Sequence, residues 1–184
     1  MEITAIAQQA QGACRELAAA KSDAKNRALD AIAQALEAHR DEIVAANRRD
    51  LARAEAEKLA PPLLKRLRFD EVKITEAVEG INSLAALPDP VGATLSATEL
   101  DQGLELYKVS CPIGVIGVIF ESRPDALVQI SCLCLKSGNA VLLKGGSEAA
   151  ATNRILAETI SAAGVAAGRS EEHTSELQSR QSTS

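Results

Sequence analysis

The segment from Tyr107 to Glu148 constrains the fold more than any other part of the chain. It reads YKVSCPIGVIGVIFESRPDALVQISCLCLKSGNAVLLKGGSE. Its two short apolar runs, 113–120 and 140–143, are typical of strands that helices cover on both faces. An amphipathic stretch over 125–136 separates them. A strand, a helix and a second strand of these lengths predict parallel strands joined by a right-handed crossover. The predicted fold class is therefore α/β, with N-terminal helices and an incomplete parallel, Rossmann-like dinucleotide-binding sheet.

Residues 1–103 form the N-terminal part of the predicted cofactor domain and are expected to be mostly helical. Apolar residues in 1–57 recur at the i, i+3, i+4, i+7 spacing of a helix, and a further helix is expected over 69–86. Residues 104–109 alternate between apolar and polar, which predicts a half-exposed strand. Residues 104–168 are then the incomplete βαβα cofactor-binding unit.

The last segment, residues 169–184, differs from the rest of the chain. A helix that Ser147 caps is expected to run to about Ala163 and to end at Gly164. Beyond it, RSEEHTSELQSRQSTS has no apolar periodicity, and Leu177 is its one large apolar residue. The string RSEEHTSELQS matches one translated frame of a common sequencing adapter. We therefore interpret 169–184 as a non-native tail that is disordered, with a natural polar tail as the alternative.

Composition excludes several classes of protein. The net charge of −5, without a basic block, argues against nucleic acid as a partner. The sequence has no secretory signal and no apolar run of about 20 residues, so no membrane association is expected and the predicted compartment is the cytoplasm. Two histidines and four cysteines without C-x-x-C spacing indicate no metal site. The cysteines are interpreted as small buried apolar residues: Cys14, Cys111, Cys132 and Cys134.

Polar residues gather where the two predicted strands end. One turn reads FESRP and the other KGGSE, and parallel neighbouring strands bring such turns to one crevice. In the second turn, the ammonium of Lys144 suits ribose hydroxyls or a phosphate, and glycines let the backbone approach a ligand. The following helix is expected to offer free N–H groups to an anion. The alternative is an ordinary tight turn with a solvated lysine. The candidate cofactor-binding residues are Phe120, Glu121, Ser122, Lys144, Gly145, Gly146 and Ser147.

These residues resemble the aldehyde dehydrogenase superfamily. Its P-x-G-V-x-x-x-I motif is met by Pro112, Gly114, Val115 and Ile119. Its G-N-x-V-x-x-K motif is met by Gly138, Asn139, Val141 and Lys144. The variants FESRP and LKGGSEA are typical of the gamma-glutamyl phosphate reductase branch. The resemblance covers residues 1 to about 168 and implies a sheet of the aldehyde dehydrogenase type.

The resemblance implies an activity for the parent protein. That branch reduces L-glutamate 5-phosphate to L-glutamate 5-semialdehyde with NADPH and releases phosphate, a step of proline biosynthesis. The family uses a cysteine thiolate, which is expected to lie downstream, so this chain is expected to hold no catalytic residue and to be inactive. The resemblance also implies a homo-oligomeric parent, with glutamate 5-kinase as a pathway partner. The alternatives are a catalytically dead nucleotide-binding or interaction module, or another branch of the superfamily.

The resemblance also implies residue roles. Lys144 matches the lysine that holds the adenosine ribose, and Ser147 stands where NAD-dependent relatives often carry Glu. A hydroxyl there favours the 2′-phosphate of NADP, whereas the neighbouring Glu148 opposes it. Ser122 stands where the wider superfamily has an asparagine that donates to the oxyanion. Ser122 and Arg123 are therefore predicted to face the substrate.

Overall fold

The structure, a computed structural model, describes residues 3–181, and the side chains of residues 4–168. Five helices come first: α1 (Ile3–Ala19), α2 (Ser22–Ala38), α3 (Arg40–Ala56), α4 (Pro61–Leu67) and α5 (Glu71–Ala86). Four strands, one helix and a 3₁₀ turn follow: β1 (Thr94–Asp101), β2 (Leu104–Val109), β3 (Val115–Ile119), α6 (Pro124–Lys136), β4 (Ala140–Lys144) and the turn Ser147–Ala149. The last element is α7 (Ala150–Gln181). The mostly helical N-terminal part and the strand–helix–strand–helix order agree with the sequence prediction.

The apolar core lies between helices that flank the β3–β4 sheet. Helix α2 packs against α5, α6 and α7, and α3 packs against α7. The apolar stripe of α2 supplies the centre of this core, as its helical spacing predicts. The buried residues of the cluster include Leu29, Ile32, Leu36, Ile43, Phe69, Ile74, Val128 and Leu156.

Strands β3 and β4 pair in parallel, as predicted. The register runs from Val115 opposite Ala140 to Ile119 opposite Lys144. However, one face of β3 is open: the side chain of Ile119 is 78% exposed and that of Ile113, just before the strand, is 86% exposed. The prediction that helices cover both faces of this strand is therefore wrong for the described residues. The apolar pattern is present, but no described element packs over this face.

Strands β1 and β2 form an antiparallel hairpin of which the sequence analysis found only the second strand. The turn between them contains Gly103, whose φ of 76° lies in the left-handed region that glycine adopts without strain. Residues 104–109 form the predicted strand, but every residue of both strands is exposed, so the prediction that this strand is half-exposed is wrong. Strand β1 was missed because no core face imposes a clear apolar alternation on it, and its main packing partner is β2.

Helix α7 is longer than predicted. It continues through Gly164 to Gln181, so the predicted helix end at Gly164 is wrong. A glycine inside a helix costs only about 1 kcal/mol relative to alanine, and the alanines around Gly164 are the best helix formers. The backbone is helical over 169–181, in contrast to the predicted disorder, and 182–184 lie outside the described residues. The non-native origin of this tail stays a prediction.

Candidate functional site

The two predicted ligand turns meet at the carboxyl edge of the β3–β4 sheet. The first turn (residues 120–123) joins β3 to α6, and the second turn (residues 145–149) joins β4 to α7. The carboxylate of Glu148 accepts hydrogen bonds from the backbone N–H of Ser122 at 2.5 Å and from its hydroxyl at 3.0 Å. The structure therefore brings the two turns together, as parallel pairing predicts.

Ser122 adopts an uncommon backbone conformation in the first turn. Its φ is 45°, a left-handed value that costs free energy for a residue other than glycine. The residue is only 3% exposed, so its polar groups depend on partners inside the protein. Both of its donors bond to Glu148, which stabilises this conformation.

The other residues of the first turn point in different directions. The Phe120 side chain packs against the core, so its backbone rather than its ring belongs to the site edge. Glu121 and Arg123 are exposed. The Arg123 guanidinium donates to the Asp125 carboxylate at 3.0 Å, and this hydrogen bond and the charge of Asp125 raise the pKa of Arg123. Arg123 is therefore an exposed cation of the first turn, paired with Asp125 at the start of α6.

Protein side chains occupy the space beside both glycines of the second turn. A Cβ atom at Gly145 would collide with the amide of Asn153 and press on the ring of Phe120. A Cβ atom at Gly146 would collide with the carboxylate of Glu148. In this structure the glycines make room for side chains of the protein.

Asn153 is a candidate site residue that the sequence analysis missed. Its Oδ1 atom is buried and accepts no hydrogen bond among the residues that the structure describes. A polar atom of this kind is uncommon in a folded protein. No local motif marks Asn153, because only the packing of α7 on the second turn brings it beside Gly145.

Helix α7 does not offer free N–H groups to an anion, in contrast to the prediction. The backbone N–H groups of Ala151 and Thr152 donate to the carboxylate of Asp50 at 3.3 and 2.7 Å, and the Thr152 hydroxyl donates to it at 2.8 Å. Ser147 is the first residue inside the 3₁₀ turn, whose N-cap position is Gly146. Asp50 of α3 therefore caps this helix, and the predicted capping role of Ser147 is wrong. A partner 102 positions away leaves no local signal in the sequence.

Arg53, one turn after Asp50 on α3, holds the backbone of the second turn. Its guanidinium donates to the carbonyl oxygens of Ser147 at 2.7 Å and of Glu148 at 3.2 Å, and to Asp50 at 3.0 Å. These contacts attach the backbone of the second turn to α3. Neither Asp50 nor Arg53 was identified from the sequence.

The polar residues of the second turn differ in exposure, and Glu148 is half-buried. Lys144 and Ser147 are exposed. Burial opposes ionisation of Glu148, but hydrogen bonds from its own N–H and from Ser122, with the charge of Lys144, keep its pKa below the ordinary value. Glu148 is therefore ionised at neutral pH, with its carboxylate bonded to Ser122.

The cysteines lie away from the two turns. Burial raises the pKa of Cys132 to about 12 and also raises that of Cys134, and both lie on α6. Cys111 is exposed, so the prediction that it is buried is wrong. It precedes β3, so the whole strand, about 17 Å, separates it from the first turn. Cys14 lies on α1. The described residues thus hold no thiolate candidate at the site.

Two other predicted absences concern metals and membranes. Within the described part of the chain, no group of three or more His, Cys, Asp or Glu side chains could hold a metal ion. None of its helices is both long enough and apolar enough to cross a membrane.

Comparison with known proteins bears on this geometry. The model of the aldehyde dehydrogenase family matches residues 1–170. Two bacterial proteins named gamma-glutamyl phosphate reductase are similar: that of Pelotomaculum thermopropionicum is 64% identical over 168 residues, and that of Acetivibrio thermocellus is 63% identical over 163 residues. These alignments cover 91% and 89% of this chain but only 39% and 38% of the relatives.

Solved structures with the same name share the fold. The enzyme of Saccharomyces cerevisiae aligns with a TM-score of 0.86 at 41% identity, over 89% of this chain and 42% of its own. That of Thermotoga maritima aligns with a TM-score of 0.85 at 36% identity, over 89% of this chain and 39% of its own. These alignments confirm the α/β fold class and the resemblance to gamma-glutamyl phosphate reductase. Since the family model spans nearly the whole described chain, the chain belongs to the aldehyde dehydrogenase family.

Proposed function

We propose that this chain is the first part of the cofactor-binding domain of an NADP-dependent enzyme. The whole enzyme reduces L-glutamate 5-phosphate to L-glutamate 5-semialdehyde and releases phosphate. The names of the similar proteins support the reaction class. The observation that carries the assignment is the contact between Glu148 and Ser122. It joins the two turns, so that Lys144 and Ser147 share one edge of the sheet with Arg123.

The exposed polar residues of the second turn fit the adenosine half of NADP. Lys144 offers a charged donor for ribose hydroxyls or a phosphate, and Ser147 offers a hydroxyl beside it. A carboxylate facing the same position would repel a 2′-phosphate. Glu148 is bonded to Ser122 instead, which removes the objection that its sequence position raises. When bound, NADPH supplies the hydride for the reduction.

Arg123 fits the acidic substrate. Its guanidinium is exposed in the first turn and stays protonated at any physiological pH. The substrate carries a carboxylate and a phosphate, each of which Arg can bind in a bidentate manner. Asp125 holds one side of the guanidinium and leaves its other N–H groups available. Arg123 therefore orients the substrate by charge and does not take part in bond making.

The chain is proposed to be inactive by itself. A thioester mechanism needs a thiolate beside the oxyanion site, and the described cysteines lie in helices or at the far edge of β3. The purified chain is assayed for phosphate-dependent oxidation of glutamate semialdehyde with NADP. We expect the rate of semialdehyde oxidation to equal that of a protein-free blank. Turnover that thiol alkylation abolishes would overturn this part of the proposal.

Nucleotide binding tests the cofactor assignment. The purified chain is titrated calorimetrically with 2′,5′-ADP and with 5′-AMP, and we expect tighter binding of 2′,5′-ADP. Lys144→Ala removes one charge-assisted hydrogen bond, of about 1.5–3 kcal/mol, and should weaken binding roughly 10- to 150-fold. Lys108→Ala removes an exposed lysine from β2 and is the control. Equal affinity of the wild type and the Lys144 variant would contradict the assignment.

A further inference from the structure

We propose that Glu148 is a positioning residue that couples the two ligand turns. Its carboxylate holds Ser122 in the left-handed conformation and takes the hydrogen bond of the Ser122 hydroxyl. The first turn therefore presents Arg123 and backbone groups to the substrate, and the Ser122 hydroxyl does not act as an oxyanion donor. The contact itself needs no assumption about activity, whereas its meaning for the substrate rests on the proposed function.

The hydrogen bonds to Glu148 give the first argument. Both donors of Ser122 bond to the same oxygen, Oε1, from a residue 26 positions away. Ser122 is nearly fully buried and has a φ of 45°. If the carboxylate were withdrawn, two buried donors would lose their partner in a backbone conformation that is already unfavourable. Glu148 therefore determines whether the first turn keeps its shape.

Gly146 gives the second argument. Its φ of −72° and ψ of 157° are ordinary values for any residue, so the backbone does not require glycine. The carboxylate of Glu148 lies where a Cβ atom of residue 146 would stand, so an alanine at this position must displace that carboxylate. Arg53 also fixes the backbone carbonyl of Glu148. The second turn is thus arranged to direct this carboxylate at Ser122.

The chemistry of a hydroxyl group gives the consequence. A serine hydroxyl has one proton, and while that proton is donated to a carboxylate the oxygen can only accept hydrogen bonds. Ser122 stands where the wider superfamily has an asparagine that donates to the oxyanion. With Glu148 ionised, the Ser122 hydroxyl cannot replace that donor. If nucleotide binding moves the second turn, Glu148 moves with it, and its hydrogen bonds to Ser122 transmit that movement to Ser122 and to the neighbouring Arg123.

The test reads the Ser122 amide in the ¹⁵N-labelled chain by nuclear magnetic resonance. In the wild type we expect a strongly downfield amide proton that exchanges slowly with solvent. Glu148→Ala should move the resonance upfield and speed its exchange at least tenfold, and Glu148→Gln should give an intermediate result. Glu158→Gln removes an exposed carboxylate of α7, 68% exposed and paired with Arg154, and should change nothing at Ser122.

Gly146→Ala provides an independent variant. The added methyl group fits the backbone but displaces the carboxylate, so it should reproduce the effect of Glu148→Ala on the Ser122 amide. In the double variant Gly146→Ala with Glu148→Ala, the two effects on the Ser122 amide should not add, because the carboxylate that the methyl group would displace is already absent. If Glu148→Ala fails to fold, as far-ultraviolet circular dichroism would show, Glu148→Gln and Gly146→Ala still decide. An unchanged Ser122 amide in the folded variants overturns the proposal.

Addition of 2′,5′-ADP separates this proposal from the proposed function. The nucleotide should shift the Ser122 amide in the wild type and leave it unshifted in Glu148→Ala at equal saturation. A Ser122 shift of equal size in both proteins would refute coupling through Glu148. If the nucleotide does not bind the wild type, the cofactor assignment fails, while the variants without nucleotide still decide whether Glu148 positions Ser122.

Discussion

Replacement of Asp50 by alanine should destabilise the protein well beyond the cost of an ordinary surface substitution. The Asp50 side chain is 1% exposed and accepts three hydrogen bonds at the start of α7. Loss of a helix-capping carboxylate costs about 0.5–2 kcal/mol. The Thr152 N–H, in a fully buried residue, is then left without its partner, which adds about 1–3 kcal/mol. The two contributions overlap, so we expect about 2–4 kcal/mol in total.

This loss is a large fraction of the roughly 5–15 kcal/mol that holds a typical domain folded. At about 2–4 °C per kcal/mol for a chain of this size, Asp50→Ala should lower Tm by roughly 5–15 °C. Asp50→Asn keeps one acceptor oxygen and should lose about half as much. The assay is thermal unfolding followed by circular dichroism, with exposed Asp30→Ala on α2 as the control. A Tm for Asp50→Ala within a degree of the control would show that α7 is not capped in this way.

Three further predictions concern charge, thiols and exposed surface. Burial opposes ionisation of Asp89, but its hydrogen bonds with Lys25 at 2.8 and 3.0 Å and with a backbone amide keep its pKa below the ordinary value. Because the folded pKa of Asp89 is depressed, its stabilisation of the fold is complete above about pH 4 and is lost as pH falls through the folded pKa. Asp89→Asn should therefore lower Tm at pH 7, and the difference in Tm between the wild type and this variant should narrow between about pH 4 and pH 3. A difference in Tm that stays constant over this range would contradict the prediction. Iodoacetamide should modify the exposed Cys111 in the native chain and spare Cys132, because burial raises the pKa of Cys132 to about 12. Mass spectrometry of the digested protein measures which cysteine is labelled. Early labelling of Cys132 would count against the core packing of α6. The exposed apolar residues of the β1–β2 hairpin should cause concentration-dependent association, which Leu106→Glu should reduce in sedimentation velocity; unchanged association would mean that another surface is responsible.

Local patterns in the sequence predicted those elements whose apolar faces meet the core. The β3–α6–β4 unit was found because two apolar runs and an amphipathic stretch lie in immediate succession, and parallel pairing follows from their lengths. The helical spacing of the α2 residues likewise predicted their burial. Strand β1 was missed because it packs mainly on β2 and is exposed throughout. Helix α7 is longer than predicted because Gly164 does not end it: one glycine among alanines costs little.

The meeting of the two turns was predicted from the sequence, but the contacts within them were not. The meeting of the two turns follows from strand order alone, whereas the partners of the second turn come from α3, about 100 positions earlier in the chain. No spacing rule joins Asp50 to Thr152 or Arg53 to Ser147, because only the packing of α3 on α7 brings them together. Sequence reasoning therefore assigned the first N–H groups of α7 to a ligand, whereas the structure assigns them to Asp50.

The packing of the second turn explains why its residue types follow each other in this order. Gly145 leaves space for Asn153, and Gly146 leaves space for the carboxylate of Glu148. The carbonyl oxygen of Ser147 accepts a hydrogen bond from the Arg53 guanidinium. Once these contacts are made, Lys144 and the hydroxyl of Ser147 are the exposed polar groups of the turn. A substitution at either glycine should therefore disturb nucleotide binding indirectly, by moving a protein side chain, and pairing it with Asn153→Ala or Glu148→Ala should relieve the collision.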